Sequence, residues 1–496
     1  MADTTGVVFP LEDDRRSTSA VGRRVVAAAL AGADPIGSAS ARRDSEWRRD
    51  YGRHLRRLVE VGMHDGDLAV RVARQGLDEL HRQMRWVGPD GGAEQPLAAA
   101  FEQSRTLLRS EVVQGTAEPE RELTLPYQGR RLRGDDVRRR LERWVRDGVV
   151  EGGVQEAVER VLDHPDWLDL RDQRVVVLGA GAEMGPLRAL LRWGGEVVGV
   201  DLPRPALWAR LADVARGSAG RLVLPVDARA AQADPAHGAQ TRHAGADLLH
   251  DLGSVATWLE SLDGPLVLGN YVYADAATNL RLATACDALA VRLLERRGGD
   301  LALAFLATPT DAFVVPADVV DHSVRSYQRR RVGRLVRQPI RAASGGRLLR
   351  RQYVPREAPA ISDSTVSQQG PNYLLAKRVH RWRATVAAAD GVTVSLNVAP
   401  PTRTRSVTRN RALAAAYAGA HWFGVEVFEP ATANTLMAAL LVDDLRHPGR
   451  SASDRTTLPW CAEARAAAHG GLWRSAYDPR SALGIAAVLG LGAARL

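Results

Sequence analysis

RVVVLGAGAEMGPLRALLRWGGEVVGVD, residues 174–201, reads as a strand, a glycine turn, a helix and a second strand. Arg174–Leu178 is a short apolar run without polar alternation, as in a strand covered on both faces. A helical pattern follows from Pro186 to about Trp193, and Gly194-Gly195 breaks it. Glu196–Val200 is the second strand, and it ends on Asp201. The turn between them, Gly179-Ala-Gly181-Ala-Glu-Met-Gly185, places each glycine for a mechanical reason. Gly179 permits a tight turn, Gly181 lets the backbone approach a pyrophosphate, and Gly185 lets helix pack closely on strand. Asp201 stands 201 − 179 = 22 residues on, where a carboxylate accepts hydrogen bonds from a ribose. The spacing is GxGxxxG, with Met184 at the usual third position. A nucleotide or nucleoside cofactor is expected, and S-adenosylmethionine would suit the same turn.

Outward from this unit, strand-like runs recur at Leu222–Pro225, Pro265–Leu268, Leu301–Leu306 and Val392–Val398, with helical stretches between several of them. The alternation predicts an α/β fold, a doubly wound parallel sheet of Rossmann type. Residues 1–165 carry apolar residues at three-to-four spacing in Ser45–Val61, Asp67–Val87 and Gly134–Val145, so a mainly helical N-terminal domain is expected to precede it. Residues 166–450 then form the nucleotide-binding domain and residues 451–496 a packed C-terminal extension. Between about 317 and 360 the alternation stops and arginines crowd together, Arg329–Arg331 among them, which reads as an insertion.

The chain has 496 residues and a formal net charge of +9, which favours anionic partners. Acidic and basic residues are interspersed, and few aromatics interleave the arginines, so nucleic acid is not the expected partner. Two cysteines, Cys286 and Cys461, without ligand spacing predict neither disulfide nor metal and suit a reducing cytoplasm. No leader and no integral membrane segment are expected, and the apolar run Ala482–Leu496 reads as a packed helix.

Every basic residue but one, histidines aside, is arginine; the exception is Lys377. It lies four residues after Tyr373 in Asn372-Tyr373-Leu-Leu-Ala-Lys377, one turn away on the same helical face. A phenol with a reference pKa near 10 is a poor base, and a nearby ammonium lowers it. Together with Val392–Val398 and the following Ala-Pro400-Pro401-Thr402-Arg-Thr404, this pair resembles the short-chain dehydrogenase/reductase family. The resemblance covers roughly residues 166–447. It implies Tyr373 as general acid/base, Lys377 as its tuning partner, Thr308 as the substrate-orienting hydroxyl and Asn279 as the water-holding asparagine. It further implies that Asp247 contacts adenine and that Gly264–Asn270 is the fourth strand, bringing Asn270 to the cofactor. Three departures stand out: Glu183 or Ala182 replaces a middle glycine, Pro401 replaces another, and 373 − 308 = 65 residues separate hydroxyl from tyrosine. Ser362, Ser364 and Ser367 are rival hydroxyls nearer Tyr373.

The expected function is an NAD(P)-dependent oxidoreductase acting on a carbonyl or alcohol. Asp201 favours NAD, and Arg204 leaves NADP open. The substrate is expected to be a small molecule, and the arginine density suggests an anionic one; a homo-oligomer is compatible. The alternatives are a non-catalytic nucleotide-binding Rossmann protein and an S-adenosylmethionine-dependent methyltransferase.

Overall fold

A computed structural model describes residues 4–103, 106–233, 239–329, 331–447 and 458–492. Nine strands organise the site: β1 (Leu108–Gln114), β2 (Arg174–Leu178), β3 (Glu196–Val200), β4 (Arg221–Asp227), β5 (Leu266–Asn270), β6 (Leu301–Ala307), β7 (Ala312–Val315), β8 (Ala360–Asp363) and β9 (Val394–Val398). Seven of them form one sheet in the order β9-β6-β5-β2-β3-β4-β1. All its pairings are parallel except that of β1 with β4. The chain is therefore α/β with a mostly parallel central sheet. From β2 the order runs outward through β3 and β4 on one side and through β5, β6 and β9 on the other. It reverses between β2 and β5, which leaves a crevice at their carboxyl ends.

Alternate residues of β2 explain why the run is apolar throughout. Val176 and Leu178 enter one core cluster and Val175 and Val177 another, so both faces are covered. The first cluster contains Val25, Leu55 and Leu77 from the helices Thr18–Leu30, Trp47–Glu60 and Gly66–Gln83, together with Leu289 and Val379. The second contains Leu141, Trp144 and Val158 from the helices Gly134–Arg146 and Gly152–Asp163, together with Leu436 and Leu440. The N-terminal residues thus share both cores with the sheet and supply its edge strand β1, which sequence patterning did not mark.

The arginine-rich segment is an excursion with a closed neck. β7 and β8 pair antiparallel, Ala312 opposite Asp363, and the helices Ala317–Arg329 and Arg331–Ala343 lie between them in sequence. Arg330 and residues 493–496 lie outside the described residues. The terminal helix runs Pro479–Gly490 and packs against Arg411–Gly419 so closely that a Cβ on Gly419 would meet the Ala486 carbonyl oxygen. Among the described residues, no helix is long and apolar enough to cross a membrane.

Candidate active site

The crevice opens into a cavity of about 1810 Å³. Eight of the ten residues singled out from the sequence line it: Gly179, Gly181, Asp201, Asp247, Asn270, Thr308, Tyr373 and Lys377. Gly185 and Asn279 do not. The chain delivers them from the ends of β2, β3, β5 and β6, from the loop before the helix Leu252–Glu260 and from the first turns of the helix Gly370–Ala389.

The glycine turn is held from two sides. Gly179 has φ +82° and donates its N–H to the Val200 carbonyl at 2.8 Å. A Cβ there would stand 3.1 Å from the Tyr271 carbonyl oxygen and from Val272 Cα, so the turn and the loop after β5 meet backbone to backbone. On Gly181 a Cβ would fall 2.6 Å from Leu207 Cδ1 and fill the cradle at this point. Gly185 is different. Its Cβ would find only ordinary contacts, the nearest at 3.5 Å, so the close helix-on-strand packing expected of it is not what the position demands. The helix after the turn is short, Leu187–Arg192.

Asp201 accepts from Gly181 N at 2.8 Å through Oδ2 and from Leu202 N at 2.8 Å through Oδ1. Asp247 accepts from Leu249 N and from His250 Nδ1, each at 2.9 Å. Burial raises its carboxyl, but the His250 and Leu249 bonds outweigh this and hold it below the ordinary value. Asn270 caps β5, with Oδ1 3.4 Å from Val272 N. Asn279 sits behind the wall, where Oδ1 accepts from Ala274 N at 3.1 Å and steadies the loop that faces the cavity.

Thr308 and Tyr373 meet despite their distance in sequence, because the β7–β8 ribbon returns the chain to the point where the insertion left it. Burial raises the Tyr373 phenol, the Thr308 hydroxyl beside it works the other way, and Asp311 adds to the rise. The sequence-based expectation was that Lys377 brings this phenol down; here burial dominates and keeps it protonated. Lys377 is itself lowered to about 8 by burial, with the Cys286 thiol acting in the other direction. Thr308 Oγ1 and Thr310 Oγ1 lie 2.9 Å apart, and Gln369 Nε2 donates to Thr310. Of the rival hydroxyls, Ser364 lines the cavity and its buried Oγ has no partner among the described residues. Ser362 instead accepts from Gln352 at 3.2 Å away from the wall, and the Ser367 side chain lies outside the described residues.

Sequence reasoning missed Tyr273, Thr310, Gln369 and Tyr417, all of which line the cavity. Thr310 follows Thr308 by two residues and was open to recognition; Tyr417 carries no local signal. Glu183 is the unexpected charge. It accepts from Arg405 N at 2.8 Å and pairs with the Arg405 guanidinium at 3.1 Å, tying the glycine turn to the segment after β9. No described residue between 317 and 360 lines the cavity, so the insertion gives no support for an anionic substrate there. Its basic residues at the wall are Arg48, Arg204, Arg405, Arg409 and Lys377. Among the described residues, no group of three His, Cys, Asp or Glu side chains is placed to hold a metal ion. Comparison with family models, with curated proteins and with solved structures returned no match.

Proposed function

We propose that this chain is an NAD(P)-dependent oxidoreductase of the short-chain dehydrogenase type, built on a Rossmann-type sheet. One observation carries the reading. Tyr373, Lys377 and Thr308 share a cavity with Gly179, Gly181 and Asp201, which lie over a hundred residues earlier. The strand order, with its reversal between β2 and β5, is that of dinucleotide-binding sheets. A cavity of about 1810 Å³ exceeds the few hundred to about 1,000 Å³ typical of a single small ligand, so a dinucleotide and a substrate fit together.

A nicotinamide dinucleotide, when bound, supplies hydride chemistry. Gly179 and Gly181 would leave the backbone open to its phosphates, and Asp201 would face its ribose. Asp201 favours NAD, with Arg204 the residue that would take NADP. Tyr373, kept protonated by burial, is set to donate its proton to a substrate carbonyl oxygen. Thr308 and Ser364 offer hydroxyls to orient that oxygen. Lys377, one of five basic residues at the wall, is poised at about 8 and can hand a proton on. Asn279 would steady the Tyr271–Asp275 loop from behind the wall and hold a water for proton relay.

The Glu183 carboxylate in the glycine turn favours a second reading, a non-catalytic nucleotide-binding protein. Calorimetric titration of NADH, NADPH and S-adenosylmethionine into the wild type and Lys377→Ala separates the readings. Binding of a reduced nicotinamide, weakened in the variant, supports the oxidoreductase. Binding of S-adenosylmethionine alone points to a methyltransferase, and binding of none overturns the oxidoreductase and leaves a vestigial Rossmann scaffold as the better account. Once a substrate is found, Tyr373→Phe should lower kcat by about 10²- to 10⁴-fold.

A further inference from the structure

The cavity is closed on one side by a cover made of residues 403–423 and the helix Pro479–Gly490. Leu413, Tyr417, Phe423, Leu483 and Ala486 line the inner side. The outer side is apolar as well. Val488 and Leu491, one helical turn apart, are 66% and 58% exposed, Leu489 is 49% exposed, and Trp422 on the adjoining turn is 59% exposed. Helices of water-soluble surfaces usually turn polar groups outward, and isolated apolar residues need no account. Here Val488, Leu489 and Leu491 end one element, and Trp422 stands on a second that touches it.

Charge is as one-sided as the apolar pattern. From Thr402 to Val425 the sequence holds Arg403, Arg405, Arg409 and Arg411 and no Asp or Glu, and residues 479–492 hold no acid either. All four arginines are exposed. Arg405 pairs with Glu183, whereas Arg403, Arg409 and Arg411 have no acidic partner among the described residues. Elsewhere on this molecule exposed arginines commonly sit against carboxylates, as Arg350 does with Asp478 and Arg216 with Asp213. Unneutralised arginines beside exposed Trp, Val and Leu side chains are complementary to a surface that is anionic at its rim and apolar beneath.

We propose that this cover docks on an anionic lipid surface, with Trp422, Val488, Leu489 and Leu491 entering the interface and Arg403 and Arg411 meeting the headgroups. No spanning helix is needed for such attachment. On the oxidoreductase reading, and resting on it, the apolar side chains on the inner side of an interfacial cover suit a carbonyl or alcohol with an apolar body that reaches the site from the bilayer. The docking itself requires no cofactor, so it stands or falls independently of that reading.

The test is co-sedimentation of the full chain with phosphatidylcholine vesicles, with and without phosphatidylserine. Two variants accompany it, Val488→Ser with Leu491→Ser and Arg403→Gln with Arg411→Gln; their melting curves and mass by light scattering are taken in parallel. The expected result is pelleting with phosphatidylserine vesicles, reversed by salt and weakened about tenfold or more by each variant pair while melting is unchanged. A chain that stays in solution with these vesicles overturns the proposal, and so does pelleting to which both variant pairs are indifferent. A dimer that Val488→Ser with Leu491→Ser splits, without vesicle binding, assigns the surface to a second copy and equally overturns it.

Discussion

The Asp201 carboxylate binds the glycine turn to the neighbouring strand: Gly181 N donates to Oδ2 at 2.8 Å while Leu202 N donates to Oδ1 at the same distance. A residue selected from sequence as a ribose acceptor is therefore also a structural clamp. Asp201→Asn keeps the shape but turns an amide N–H towards one of two backbone donors. Denaturant unfolding should show a loss of about 1–3 kcal/mol, and calorimetry a weaker NADH isotherm. Unchanged stability would remove the clamp.

The three glycines of the turn are not equivalent. Gly179 combines φ +82° with backbone neighbours 3.1 Å from a built Cβ, whereas the nearest neighbour at Gly185 is at 3.5 Å. Gly179→Ala should cost at least about 1–2 kcal/mol, the strain of a left-handed non-glycine residue. Gly185→Ala should stay within about 0.5 kcal/mol of the wild type. Thermal melts of the two variants, side by side, give the ordering; equal losses would refute it.

Much of this architecture was legible in the sequence, for a physical reason. Strands buried on both faces, such as Val175–Leu178 and Leu301–Leu306, are short continuous apolar runs, and the glycines and polar residues that bound them mark them as strands. The edge strand β1, LRSEVVQ, has one neighbour and polar residues on its open side, so it resembles a loop until β4 is in place. Likewise the amphipathic helices Trp47–Glu60 and Gly134–Arg146 were visible, but nothing in an apolar stripe says which face of a sheet it will cover. At the site, spacing found Tyr373 and Lys377 because one helix turn fixes their relation. The meeting of Thr308 with Tyr373 depends on the β7–β8 ribbon, and the docking of Tyr417 on the fold of the cover; neither is a local property.

Lys377 makes the fold respond to alkali. Burial lowers its pKa from 10.5 to about 8, so the unfolded chain binds this proton more tightly than the folded one. Stability must then rise with pH between about 8 and about 10.5, where the unfolded state holds the extra proton. Lys377→Met removes this dependence. The variant should exceed the wild type in denaturant midpoint at pH 7, and the gap should narrow by pH 10. A gap independent of pH would mean that the ammonium is solvated.

Glu151 gives the opposite, acid-side response. It precedes the helix Gly152–Asp163 and joins it to the C-terminal loop: His469 Nε2 lies 2.7 Å and Arg474 Nε 2.8 Å from Oε1, and Glu151 N donates to the Ala467 carbonyl at 3.0 Å. Burial alone would raise this carboxyl, but Arg474 and His469 together hold it at about 2. A depressed folded-state value contributes stability above the ordinary 4.5 and loses it as pH falls from there towards about 2. Glu151→Gln should cost about 3–5 kcal/mol at pH 7, since it leaves the Arg474 charge without its inner partner. Asp318 also accepts from Arg474 and should keep the loss towards the lower end. Unfolding midpoints of both proteins, followed from pH 7 to pH 3, should draw together as the Glu151 carboxylate takes up its proton in the unfolded chain. Parallel curves would show that this ion pair does not link the N-terminal helices to the C-terminal loop.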